Sequence, residues 1–148
     1  MKSNSLGGNL ELTTEILATT PIYFAGLYGK IVTRIQSPEQ LQTLADLVST
    51  LHNAGCTEET IETLCVYGEF TSLSELANGR YAFRDYRDLG ISVDQAWFLI
   101  EEMKQIRKQM EQARQKSAYR LQLIKTAYQK IIQRNNEAQA QEKVTAGA

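Results

Sequence analysis

The chain has 148 residues, of which 43% are hydrophobic and 22% charged, and a net charge of −1. This is an ordinary balance for a soluble globular chain, and composition alone does not announce a nucleic-acid binder. No run of about 18 apolar residues could span a bilayer, and the N-terminus lacks the charged-then-apolar pattern of a signal sequence, so a cytoplasmic protein without a membrane partner is expected.

The charges are unevenly distributed. Residues 1–79 carry three Lys/Arg against nine Asp/Glu, a net of −6, and residues 80–134 carry twelve against six, a net of +6. Residues 135–148 carry one against two. Such asymmetry suits a polyanion or acidic partner for the basic part, or a meeting of the two parts within or between chains.

In chain order, residues 1–20 form a mobile N-terminal segment by expectation, Gly-rich and polar over MKSNSLGGNL and ambiguous over ELTTEILATT. Residues 21–35, PIYFAGLYGKIVTRI, carry strand-favouring Tyr23, Phe24, Tyr28, Ile31, Val32 and Ile35, interrupted by Gly26 and Gly29. A short β-hairpin and a docked apolar segment are the two readings.

From Ser37 the helical signals sharpen. Ser37-Pro38-Glu39-Gln40 is a capping box with proline at the first helical position. Leu41, Leu44, Val48 and Leu51 then make one apolar face, and Gly55 ends the helix. Thr57 caps the next, with Glu58 and Glu59 in its first turn, Ile61, Leu64 and Cys65 inside, and Gly68 as its stop. A short helix follows from about Ser72 to Ala77, then another element over Arg80–Leu89, ended by Gly90. AGCTEETIETL (54–64) and LGISVDQAWFL (89–99) resemble each other, and shared capping chemistry is the simplest account.

Ser92 opens the final helix, and no proline or glycine occurs between Ile91 and Ala146. Leu99, Met103, Ile106, Met110, Ala113, Ile124, Ala127 and Ile131 follow steps of four and three, with Ser117 and Arg120 as polar breaks and Leu121 and Tyr128 as an alternative seam. About forty helical residues at ~1.5 Å each span roughly 60 Å, so part should project and pair, most simply with a second copy. The eight seam residues are therefore the expected dimerisation contacts. Residues 135–148 read as a disordered tail.

The expected fold is mainly α: a small multi-helix, helix-turn-helix-like domain over 21–91, with or without the hairpin, then a long dimerising coiled-coil helix over 92–134.

Catalytic signals are missing. His52 stands beside Asn53 with no nucleophile motif, Glu58, Glu59 and Glu62 suit a solvated first turn, and there is no phosphate-cradling glycine motif. Cys56 and Cys65 sit among apolar residues, and no Cys/His cluster supports zinc. No enzyme, cofactor or metal is expected.

Residues 87–97, RDLGISVDQAW, fit a helix-turn-helix corner or an ordinary joint between packed helices. LGISVDQAWFLIEEM followed by a basic heptad helix resembles the second half of MerR-type transcriptional regulators, over about residues 80–131. The resemblance implies a long helix that dimerises as an antiparallel coiled coil, and it places the recognition-helix role on Thr57–Tyr67. Residues 41–79 contain no Lys or Arg. DNA contacts would then fall to Arg80, Arg84 and Arg87, with Lys30, Arg34 and Lys104, and would touch phosphates rather than bases. Two functions are expected. One is a dimeric DNA-binding transcriptional regulator. The alternative is a non-enzymatic adaptor or assembly protein that binds another protein through its long C-terminal helix.

Overall fold

The computed structural model describes residues 10–147, with side chains up to Lys143. The chain divides into two compact units, Met1–Arg107 and Lys108–Ala148. The elements are α1 (Thr14–Thr19), α2 (Phe24–Ile31) with a 3-10 turn (Val32–Arg34), α3 (Pro38–Ala54), α4 (Glu58–Glu62) with a π turn (Thr63–Tyr67), α5 (Leu73–Asn78), α6 (Phe83–Asp88) and α7 (Val93–Gly147). No strand occurs among the described residues. The fold is mainly helical, with short helices followed by one long one, as the sequence pattern predicts.

The hairpin alternative over 21–35 is not the one realised. Phe24, Leu27, Tyr28 and Ile31 are buried at helical spacing, while Gly26 and Gly29 lie on the exposed side. A helix buries all four large residues on one face, whereas strand alternation would send the adjacent Leu27 and Tyr28 to opposite faces. The Tyr28 hydroxyl holds Leu10, accepting from its N–H at 3.2 Å and donating to its carbonyl at 3.1 Å.

The segment expected to be mobile, 1–20, contributes α1. Thr13 caps it, Ile16 is buried, and the Ser49 hydroxyl of α3 donates to the Thr19 carbonyl. Residues 1–9 lie outside the described residues. At the other end α7 runs through 135–147, where a disordered tail was expected. Ala, Gln, Glu and Lys dominate that stretch, and it contains no residue that stops a helix before Gly147.

The centre of the first unit is α3. Ser37 accepts from the Gln40 N–H, and the Gln40 side chain takes the N–H of Gln36, so the expected box forms one residue wider. Leu41, Leu44, Ala45, Leu47, Val48 and Leu51 are all 2% exposed or less. More than one stripe of α3 is therefore covered, with α1, α4 and α5 packed on it. Each Leu or Ile so buried contributes about 1.5–3 kcal/mol. The short helices have no stability of their own and hold only because their apolar faces close on this core.

Candidate interaction surface

Two helix corners are built alike. At the first, Gly55 takes φ 109° and the Cys56 N–H donates to the Leu51 carbonyl at 2.9 Å. At the second, Gly90 takes φ 97° and the Ile91 N–H donates to the Tyr86 carbonyl at 3.1 Å. Both are left-handed glycine stops in which the next residue closes back on the helix. Cys56 and Ile91 are then buried, and Thr57 and Ser92 cap the following helices. Shared capping chemistry thus accounts for the resemblance of 54–64 to 89–99. Gly68 and Gly79 work differently. Their φ values are −79° and −69°, and the left-handed positions are Glu69 and Arg80. A Cβ on Gly79 would run into the Tyr81 ring, which would have to shift to admit it.

The structure gives most of the six cations expected at DNA internal partners. The Arg34 guanidinium donates to the carbonyls of Cys65 (2.9 Å) and Val66 (3.1 Å), closing the end of the π turn. Arg87 donates to the Ile91 carbonyl at 2.7 Å across the second corner. Lys30 pairs with Glu62, and Lys104 with Glu101 one turn before it. Of the six, only Arg80 and Arg84 are exposed with no hydrogen bond or ion pair to their guanidinium groups among the described residues. Sequence reasoning missed Arg107, which donates to the Ala77 carbonyl at 2.9 Å and fastens α7 to the end of α5. Nothing in a basic helix distinguishes such a clamp from a solvated arginine beforehand.

The dimerisation seam requires correction at its start. Leu99, Met103 and Ile106 are 0, 2 and 6% exposed, taken up by the core of the first unit. They are not available to a second copy. The exposed apolar stripe lies in the second unit, from half-buried Met110 onward. There Leu121, Ile124, Tyr128 and Ile131 are 52, 65, 63 and 52% exposed, and Ile132 is 41% exposed. At ~100° per residue these five fall within an arc of about 100°. Leu121 and Tyr128 therefore belong to the stripe, and Ala127 and Arg120 lie at its edge. Lys108–Arg134 carries seven Lys/Arg against Glu111 alone, a net of +6.

The remaining candidates are accounted for within the first unit. Burial pushes both thiols up to about 12, and only secondarily do Glu102 (raising Cys56) and Arg34 (lowering Cys65) act on them. They stay protonated at neutral pH, as buried small hydrophobes do. His52 Nδ1 hydrogen-bonds the Tyr23 hydroxyl at 3.0 Å, and the rings meet edge to face. A cleft of about 490 Å³ is lined by Phe70, Tyr81 and Tyr86 together with Glu69, Glu75, Asp85 and Asp88. Glu75 and Asp85 are already engaged there, accepting from the backbone N–H groups of Thr71 and Ala82. Trp97, 54% exposed, stacks on Phe83 at 4.4 Å. No group of three or more His, Cys, Asp or Glu among the described residues is placed to hold a metal, and no helix there is long and apolar enough to cross a membrane.

No family model matches this chain, and comparison with curated proteins and with solved structures returns no match.

Proposed function

We propose that the chain is a non-enzymatic helical adaptor or assembly protein that engages another protein through residues 108–134 of α7. The observation that carries this reading is the exposed apolar arc Leu121, Ile124, Tyr128, Ile131 and Ile132 on a strongly basic helix. The first unit closes its own core and needs no part of that arc. Large apolar side chains repeated along one helix face mark a helix that pairs. The protonated thiols and the hydrogen-bonded His52 supply no activated nucleophile or base, which supports a binding role over a catalytic one. The reading is tested by substituting the arc. Ile124→Asp with Tyr128→Asp should abolish recovery of the natural partner by the full chain, while thermal unfolding of the first unit stays unchanged. A partner retained by that variant would refute the reading.

A second reading, the dimeric DNA-binding regulator, is favoured by Arg80 and Arg84, which are exposed and without internal partners. The resemblance to MerR-type regulators agrees with it, and the stacked Phe83–Trp97 pair joins α6, which carries Arg84, to α7. Against it, the helix that would read bases opens with Glu58 and Glu59. Phosphate contacts would make binding fall steeply between about 0.05 and 0.2 M salt. A gel shift that Arg80→Glu/Arg84→Glu abolishes would favour this reading. No duplex binding at low salt would remove it.

A further inference from the structure

The free face of α7 has a definite chemical complement. We infer that residues 113–134 form one strand of a coiled coil whose other strand is an acidic heptad helix of a different protein, an inference that rests on the adaptor reading.

The heptad register follows from the exposed residues. Leu121 and Tyr128 take the a positions, Ile124 and Ile131 the d positions, and all four are more than half exposed. The flanking e and g positions from 113 to 134 are Ala113, Ala118, Arg120, Lys125, Ala127, Ile132 and Arg134. No acid stands among them, and Glu111, the e position one heptad before Ala118, pairs with Arg114 of its own helix; such positions commonly carry the interhelical ion pairs that choose a partner.

This pattern disfavours a second copy. In a parallel pair the g position of one helix faces the following e position of the other, so Arg120 would meet the partner copy's Lys125, and Arg114 at a would meet itself. In an antiparallel pair g faces g and e faces e, which again sets basic or neutral residues together. Each strand would bring a net of +6 over residues 108–134. Like charges across a seam cost stability instead of adding to it. A nucleic acid would satisfy the cations through phosphates but would leave the arc of Leu, Ile and Tyr in water. A helix with apolar a and d positions and Glu or Asp at e and g answers both demands at once: it covers the arc and pairs Arg120, Lys125 and Arg134.

The test uses the full chain and two synthetic four-heptad peptides, with Leu at a and d and either Glu or Lys at e and g, read by fluorescence anisotropy at about 0.15 M salt. The Glu peptide should bind at least about tenfold tighter than the Lys peptide, a difference that shrinks as salt rises. Arg120→Glu/Lys125→Glu/Arg134→Glu should reverse the preference, and Ile124→Asp/Tyr128→Asp should abolish binding of both. These side chains are exposed, and unchanged circular dichroism would show that the variants fold. Equal binding of both peptides overturns the inference. So does a homodimer by sedimentation equilibrium that Ile124→Asp/Tyr128→Asp dissociates, since a second copy would then cover the arc. Arc-dependent binding to phosphatidylserine vesicles or to a duplex in place of the Glu peptide also overturns it. Failure of the adaptor reading is distinguishable, because there the arc variant would leave every association unchanged.

Discussion

The backbone N–H of Thr57 donates to the side-chain oxygen of Gln95 at 3.0 Å, across 38 residues of sequence. Thr57 is the N-cap of α4, and Gln95 stands in the first turn of α7, where the Ser92 hydroxyl accepts from its N–H. Ser92-Val93-Asp94-Gln95 has the spacing of a capping box, in which Gln95 would turn back to cap its own helix. Instead it reaches the other corner and joins the two helix starts. Gln95→Ala should lower stability by about 1 kcal/mol, the usual loss for one hydrogen bond, in urea unfolding followed by circular dichroism. No change in midpoint would show that water replaces the contact fully.

The glycines give changes of opposite sign. Gly55→Ala and Gly90→Ala force a side chain into a left-handed backbone and should each destabilise by about 1 kcal/mol or more. Gly26→Ala adds a methyl where nothing lies within 4 Å, inside α2, and should stabilise by up to about 1 kcal/mol. Thermal unfolding of the three variants orders them directly.

Arg34 is a clamp in the structure and a phosphate contact in the sequence reading. Arg34→Lys cannot span two carbonyls as a guanidinium does, so it should lose nearly as much stability as Arg34→Ala, about 1 kcal/mol at this exposed site. Full stability in the lysine variant would show that charge alone suffices.

The long helix should respond in two different ways along its length. Leu99→Ala removes a fully buried side chain and should cost about 2–5 kcal/mol. Ile124→Ala, at a position 65% exposed, should leave the unfolding of the first unit unchanged. Denaturant midpoints for the pair separate core from free face.

The thiols set an alkaline limit. Folding raises Cys56 and Cys65 from about 9 to about 12, so both states are protonated below pH 9 and the stabilising effect is full there. Above pH 9 the unfolded thiols ionise first, and stability falls as pH rises towards 12. The urea midpoint should therefore decline from pH 9 upward, and less steeply in Cys56→Ala/Cys65→Ala. Equal slopes would assign the decline to other groups.

The residues that cap and stop helices act on their own neighbours, so they are legible in order along the chain. Ser37, Thr57, Ser72 and Ser92 all cap as their positions imply, and Gly55 and Gly90 turn the chain as glycine alone does readily. The sequence by itself therefore determined the helical class, the two corners and the unbroken run of α7 as far as Arg134, but not its continuation through 135–147. In 21–35 the same residues satisfy strand propensity and helical period, and propensity misled because burial on α2 decides between them. The tertiary structure alone decided which charges are available. Arg34, Arg87 and Arg107 find carbonyls that folding brings to them from 4 to 32 residues away, while Arg80 and Arg84 have no such partner among the described residues. It alone decided where the apolar seam of α7 leaves the core, with Ile106 buried in the first unit and Leu121 52% exposed. A heptad pattern records that a face must be covered, and only the packed chain shows which part of that face it covers itself.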